Sequence, residues 1–203
     1  MLVRSSFVLA AAALAALGVG CATTTPAIPR PVTEPVVDRP GSDLVRYRDA
    51  TVEVVLDTGF ADSNLGADWL VLNAAFSGMT GAATAIGRDR VSVRTPDGTT
   101  IPLPSYREFR AAFDDLAAIQ RRAALASQPL DFTRGGRRAC GINFMPDPGS
   151  GVTANTVLHV SKNELCVGLL YFPVPGGVQP GTWRFVIDFE ESRAVLPFTL
   201  GAP

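Results

Sequence analysis

The chain has 203 residues, of which 47% are hydrophobic and 18% are charged. This length predicts one folded domain rather than two, and this composition excludes disorder throughout. The 18 basic and 19 acidic residues leave a formal net charge of -1, which lacks the basic surplus typical of nucleic-acid binding. We therefore expect no nucleic-acid partner.

The N-terminal residues 1–20 have the pattern of a signal peptide. Arg4 supplies a positive charge, and the stretch from Phe7 to Val19 is apolar and rich in Ala and Leu. This stretch is shorter than the roughly 20 apolar residues that cross about 30 Å of hydrocarbon as a helix. We predict an export signal that is removed, with a retained anchor helix as the alternative.

The segment from Leu17 to Cys21 resembles the lipobox of bacterial lipoproteins, in which the cysteine after the cleavage site receives lipid. The match is imperfect, because Gly18 stands where the family usually has Leu. The resemblance implies that Cys21 is lipidated and that its acyl chains hold the protein on a membrane. With Ala22 at the second mature position, it also implies an outer-membrane address with the domain facing the periplasm.

Residues 21–42 are predicted to be the lipidated cysteine and a tether. Proline-rich chain cannot form a helix and stays extended at about 3.1 Å per residue. We therefore expect an unordered spacer that precedes a domain spanning residues 43–203. The prolines of this tether are Pro26, Pro29, Pro31, Pro35 and Pro40.

The cysteine count favours an oxidising compartment. Of the three cysteines, lipidation of Cys21 leaves Cys140 and Cys166, which are 166 − 140 = 26 positions apart. We predict a disulfide between them. A metal site would need more ligands, and His159 is the single histidine of the sequence, so we predict neither a metal nor a cofactor.

Most of the remaining chain alternates apolar and polar residues with the two-residue period of strands. Trp183, Phe185 and Ile187 share one face, and a turn near residue 192 leads into Leu196 and Phe198, which predicts a C-terminal hairpin. Residues 69–76 are apolar on both faces and predict a central strand. About eight short strands favour an immunoglobulin-like β-sandwich. The other predicted strands lie near residues 52–57, 91–94, 101–103, 140–144, 156–160 and 166–172.

One amphipathic helix is predicted, over about residues 105–127. Ser105 and Glu108 have the spacing of a capping box, and Tyr106, Phe109 and Phe113 share a face at helical spacing. We expect this helix to plug one end of the sandwich. The alternative is that its charged face also binds a partner.

No motif of the sequence specifies a reaction. A serine triad needs a histidine that relays a proton, and His159 is predicted to face solvent on a strand. No G-x-S-x-G, P-loop or Rossmann glycine pattern is present. We therefore predict no catalytic residue, while a hydrolase whose distant carboxylates meet in space stays open.

Two loops are weaker candidates for ligand binding. The segment from Asp62 to Asp68 has oxygen ligands at alternate positions, but it departs from the EF-hand spacing and favours an ordinary turn. Arg134, Arg137 and Arg138 flank two glycines and form a candidate anion-binding loop for a phosphate or carboxylate, for instance on an envelope glycolipid. A solvated loop is the alternative.

Together these patterns predict a non-catalytic lipoprotein of the cell envelope that acts as a binding or assembly module. Its expected partners are the membrane, through the N-terminal lipid, and an envelope protein or glycolipid. Loops at the ends of the sandwich and an exposed edge strand would carry specificity. Two alternatives remain at this point: an envelope hydrolase that uses carboxylates, and a purely structural lipoprotein.

Overall fold

Strands dominate the fold, which a computed structural model describes over residues 34–130, 135–190 and 192–201. It is mainly β, with 42% strand and 17% helix. The predicted signal peptide, Cys21 and Arg134 lie outside these residues. None of the described helices has the length and hydropathy needed to span a membrane.

Twelve strands, three α-helices and one 3-10 turn, Arg88–Arg90, follow one another along the described residues. The strands are β1 (Val36–Asp38), β2 (Leu44–Arg48), β3 (Val52–Asp57), β4 (Trp69–Gly78), β5 (Thr84–Gly87), β6 (Val91–Arg94), β7 (Thr100–Pro102), β8 (Arg138–Gly141), β9 (Val157–Val160), β10 (Glu164–Pro173), β11 (Gly181–Asp188) and β12 (Arg193–Leu200). The helices are α1 (Gly59–Asp62), α2 (Tyr106–Ala111) and α3 (Phe113–Ala126).

The strands form two large sheets and one small one. A six-stranded sheet has the order β1-β2-β3-β4-β10-β8, a four-stranded sheet has the order β12-β11-β6-β7, and β5 pairs with β9. All pairings are antiparallel except that of β8 with β10. The predicted central strand is confirmed, since β4 is bonded to β3 and β10.

Aromatic side chains join the two large sheets. The ring of Phe185 on β11 lies 6.4 Å from the ring of Phe76 on β4 and 6.4 Å from that of Phe172 on β10. These contacts define the inner face of the six-stranded sheet. Trp183, Phe185 and Ile187 are fully buried, and β11 pairs with β12 along eight residues, so the predicted C-terminal hairpin is confirmed.

The opposite face of the six-stranded sheet, the outer face, is also covered. Tyr171 precedes the inner Phe172 by one position and therefore points the other way, where its ring lies 5.1 Å from that of Phe109 on α2. The helices thus pack on the outer face of the sheet and do not plug its end. The expectation of a plugging helix is wrong because Phe109 faces the flat side of β10.

The single helix predicted over residues 105–127 is two helices. The capping box is present, with the Ser105 hydroxyl accepting from the Glu108 amide and the Glu108 carboxylate accepting from the Ser105 amide. Ala112 leaves the helical conformation, with φ -96° and ψ 4°, and α3 begins at the next residue. Phe109 and Phe113, which stand on either side of this break, meet edge to face at 5.7 Å.

The chain that follows α3 crosses the outer face beside the helices. The Gln128 amide donates to Asp57 Oδ2 at 2.7 Å, and Asn73 Nδ2 donates to the Gln128 carbonyl at 3.0 Å. Leu130 then packs on a small cluster that contains Val55 and Ala75. Polar side chains of β3 and β4 therefore fasten this crossing segment.

The described chain is ordered earlier than the predicted domain boundary at residue 43. β1 lies within the predicted tether and pairs with β2, with Arg46 donating to Asp38 at 2.9 Å. The two prolines of this stretch, Pro35 and Pro40, stand outside β1, so they remove no donor from it. The structure also contains three strands absent from the prediction, namely β1, β2 and β5.

The predicted disulfide is present. Cys140 on β8 and Cys166 on β10 are directly opposite each other in the parallel pairing and are bonded through their sulfur atoms. Cys166 is 1% exposed and belongs to the main core. The bond therefore fixes the edge strand β8 to the body of the sheet.

Candidate functional site: a proline-rimmed cleft beside β7

The candidate site begins at β7, one of the two edge strands of the four-stranded sheet. The Leu103 amide donates to Val91 at 2.9 Å, and the Thr95 amide donates to Thr99 at 2.9 Å. In an antiparallel ladder the residues between such bonded positions turn their backbone groups away from the partner strand. Pro102 is one of these residues and has no amide hydrogen, so β7 offers few donors to an added strand.

A cavity of about 570 Å³ opens beside β7. Its walls come from β7 and the start of α2, from the start of β4 and from the end of β10. Most of the lining side chains are apolar, and Trp69 supplies a half-buried indole. The apolar lining residues are Trp69, Ile101, Pro102, Leu103, Pro104 and Pro173.

A second cavity, of about 360 Å³, adjoins the first and shares Ile101 with it. It lies between the β6–β7 turn and the chain that links β10 to β11. Pro96 and Pro175 line it, and Trp183 forms its floor. The two cavities together make one cleft that is rimmed by five prolines: Pro96, Pro102, Pro104, Pro173 and Pro175.

Most polar groups that line the cleft form hydrogen bonds with other residues of the chain. Arg88 donates to the Leu103 carbonyl at 3.0 Å, and Glu108 is occupied by the helix cap. Hydrogen bonds from Ser105 lower the pKa of the Glu108 carboxyl, so it stays ionised. Within the described chain the Trp69 indole N–H has no hydrogen-bond partner, and it is a donor for an occupant of the cleft.

The sequence analysis missed this cleft, although a signal for it exists. The chain reads Ile-Pro-Leu-Pro at residues 101–104 and Phe-Pro-Val-Pro at residues 172–175. Proline at alternate positions at the end of a strand marks an edge that is protected from pairing. The sequence does not show that these two tetrapeptides lie side by side in the folded chain.

The predicted anion-binding loop is divided by the structure. Arg137 donates to Glu53 at 3.0 Å, and Arg138 forms an ion pair with Glu164. The side chain of Arg138 is 79% exposed, whereas that of Arg137 is only 22% exposed. Arg134 is not described. Arg137 and Arg138 therefore face different carboxylates on neighbouring parts of the sheet.

The other residues that the sequence singled out do not meet in a described cavity. His159 is exposed on β9, as its strand pattern predicts. In the loop from Asp62 to Asp68, Asp62 accepts from the Gly201 amide at 2.6 Å and Asn64 accepts from Arg122 at 3.3 Å. Among the described residues, no three His, Cys, Asp or Glu side chains lie close enough to hold a metal ion.

The comparisons with known proteins add no assignment: no family model, no curated protein and no solved structure matches the chain.

Proposed function

We propose that the protein is a non-catalytic binding or assembly module of the cell envelope, held on the outer membrane by lipid on Cys21 and facing the periplasm. The lipobox-like segment supports the anchor, and the disulfide between Cys140 and Cys166 is compatible with an exported protein. As part of this proposal, the two large sheets form an immunoglobulin-like β-sandwich, which the aromatic contacts between the sheets support.

The observation that carries the proposal is the apolar cleft beside β7. Concave sites lined by apolar side chains with a few polar groups are typical of ligand binding. The occupant that fits is an extended apolar segment of an envelope protein, since the cleft continues past Ile101 into a second cavity. Because Pro102 lacks an amide hydrogen, side-chain contacts rather than strand addition would supply the affinity.

The state of the carboxyl groups favours binding over hydrolysis. A general acid at neutral pH needs a raised carboxyl pKa. Among the described residues, each carboxyl whose pKa clearly departs from its ordinary value has a lowered one, held by an ion pair, a turn or a helix cap. These carboxyls belong to Asp38, Asp49, Asp97, Glu108 and Glu164.

Site-specific photocrosslinking tests the cleft. A photoreactive residue replaces Pro102 at the exposed rim of the cleft, and the matched control carries it at Thr199, which is exposed on β12. We expect one discrete protein adduct in intact cells from position 102 and none from position 199. A Trp69→Ala variant, which removes the indole from the cleft, is expected to abolish the adduct. Equal adducts from both positions, or an adduct that survives Trp69→Ala, would contradict the proposal.

The anchor is tested separately. Cys21→Ser removes the thiol that receives lipid, so the protein is expected to move from the membrane fraction to the soluble periplasmic fraction. Cys140→Ala is the control, because it removes a cysteine of the folded domain and leaves Cys21 in place. Retention of the Cys21→Ser variant on the membrane would refute lipid anchoring and leave the cleft untouched.

A further inference from the structure

A separate cavity, of about 280 Å³, lies on the outer face of the six-stranded sheet. It opens where β2 and β4 end and β3 begins, and the segment leading into β8 closes one side. Unlike the cleft beside β7, its walls are mostly charged. The lining residues are Arg48, Glu53, Gly78, Met79, Arg137 and Lys162.

The charges of this cavity do not cancel. Arg48, Arg137 and Lys162 contribute three positive charges, and Glu53 contributes one negative charge. Glu53 is 8% exposed and accepts from Arg137 at 3.0 Å. The described lining residues therefore carry a formal charge of +2 once this ion pair is counted.

Two of the cationic side chains have hydrogen-bond donors that no described residue accepts. The Nε atom of Arg48 is buried, and no acceptor among the described residues lies within hydrogen-bonding distance of it. A buried guanidinium donor without a partner is unfavourable, and such a group marks a place where an acceptor is expected. Lys162 is exposed and forms no ion pair with a described residue. Both side chains can therefore bind an incoming anion.

We propose that this cavity binds a phosphate group as its dianion. The formal charge of +2 matches the charge of about -2 that a phosphate monoester carries near neutral pH. The guanidinium of Arg48 offers a planar fork of donors, while the ammonium of Lys162 acts as a point charge, and both arrangements are common in phosphate sites. The ion pair with Glu53 keeps Arg137 at the side of the cavity and neutralises one of the three positive charges of its described lining.

This site differs from the anion-binding loop predicted from the sequence. It keeps Arg137, replaces Arg138 with Arg48, and adds Lys162, which lies in the turn before β10. Arg138 does not belong to the site, because it is absent from the lining of the cavity and its guanidinium is bonded to Glu164. In the sequence, the three cations of the cavity are separated by 137 − 48 = 89 and 162 − 137 = 25 positions.

The test is a titration of the full chain with inorganic phosphate, followed through the NMR signal of the Arg48 Nε–H group at constant ionic strength. We expect a saturable shift of this signal, because phosphate supplies the acceptor that Nε lacks. Constant ionic strength separates binding from general screening. A signal that does not move on addition of phosphate overturns the proposal.

Three variants sharpen the titration. Lys162→Gln, at an exposed position whose change leaves the fold intact, is expected to weaken phosphate binding about tenfold, the effect of one charged hydrogen bond. Glu53→Gln is expected to tighten binding, because it removes the negative charge that the described lining residues contribute. Arg121→Gln, which removes an exposed arginine on α3, is the control and is expected to bind like the wild type. Equal affinity of Lys162→Gln and Arg121→Gln, or weaker binding by Glu53→Gln, contradicts the assignment.

A second arm distinguishes a lipid headgroup from a soluble phosphate compound. The full chain is mixed with phosphatidylcholine vesicles with or without phosphatidic acid, and the difference in binding between the two compositions removes the contribution of any lipid anchor. Tighter binding to phosphatidic acid that is lost in Lys162→Gln assigns the site to a lipid phosphate. Phosphate binding without this difference assigns it to a soluble phosphate compound.

Discussion

The two faces of the six-stranded sheet are buried by different means. On the inner face, Val54, Leu72 and Phe76 pack against the four-stranded sheet and are 0% exposed. On the outer face, Glu53, Asp57 and Asn73 alternate with apolar residues and are nevertheless only 8%, 3% and 8% exposed. The difference teaches that polar residues on one side of a strand need not face water.

The outer-face polar residues are tolerated because each has a partner from the chain between α3 and β8. Burying a polar group costs free energy unless it is hydrogen-bonded. Asp57 and Asn73 meet the backbone of Gln128, and Glu53 meets Arg137. The inner face thus depends on apolar area, whereas the outer face depends on specific hydrogen bonds, and four predictions test this contrast.

The largest effect is expected on the inner face. Phe185→Ala removes the ring that contacts both Phe76 and Phe172 and should lower the free energy of unfolding by about 3–5 kcal/mol. Denaturant unfolding measures the change. Thr182→Ala, at an exposed position of the same strand, should change it by less than about 0.5 kcal/mol. Similar losses in both variants would show that the inner face is not the main core.

The disulfide should come next. Replacing Cys140 and Cys166 together by Ala removes a cross-link that closes a loop of 26 positions, and the chain-entropy estimate of this loss is about 3–4 kcal/mol. Comparison of urea unfolding for the wild type and the double variant under oxidising conditions measures it. Addition of reductant should bring the wild type close to the variant. A double variant as stable as the oxidised wild type would contradict the prediction.

Substitution on the outer face should lower the free energy of unfolding by less, but still by a measurable amount. Asp57→Ala leaves the amides of Gly59 and Gln128 without their carboxylate acceptor, at a cost of about 2–3 kcal/mol. Hydrogen exchange should rise at the Gln128 amide before it rises on β11. Asp68→Ala, at an exposed aspartate, is the control. Unchanged protection at Gln128 would show that the crossing segment does not need Asp57.

The smallest effect depends on pH. Burial raises the pKa of Asp49, but hydrogen bonds from Val52, Thr51 and Tyr47 outweigh it, so the net pKa is lowered. Burial and the bond to Asp49 also raise the pKa of Tyr47 to about 12. The ionised Asp49 therefore contributes stability that is fully present above its unfolded pKa, near 3.8, and is lost as the pH falls through the lower folded pKa.

Asp49→Asn is the variant that isolates this contribution. At pH 7 it should be less stable than the wild type by about 2 kcal/mol, since it weakens bonds to a charged acceptor. The gap should narrow as the pH falls below about 4. Unfolding curves of both proteins between pH 2 and 7 measure it. A gap that is constant across this range would show that the Asp49 charge is not the cause.

The inner face was predictable from the sequence because its apolar residues recur at every second position along each strand. Trp183, Phe185 and Ile187 indicate their strand without any knowledge of the partner strand, and the pair Cys140 and Cys166 indicates the disulfide. β2 carries a similar signal, with Val45 and Tyr47 buried and with Arg46 and Arg48 half-buried on the outer face. It was missed because it stands next to the proline-rich segment.

The outer face was not predictable, because its burial comes from distant chain. Asp57 and Gln128 are 128 − 57 = 71 positions apart. No local pattern in β3 indicates that a later segment of the chain covers this strand. The break at Ala112 has no Gly or Pro to mark it, so no local signal in the sequence predicts it. The cleft beside β7 and the charged cavity of the outer face depend in the same way on segments that meet only after folding.

The pairing of β4 with β10 has a consequence for a chain that emerges with its N-terminus first and folds as it emerges. β1 to β4 are neighbours both in sequence and in the sheet, so they can assemble as soon as they appear. β10 comes much later, since Leu72 and its partner Leu170 are 170 − 72 = 98 positions apart. During that interval β4 has an open apolar edge ten residues long, and such an edge invites pairing with other chains. A chaperone that shields extended apolar strands would be needed mainly in this window.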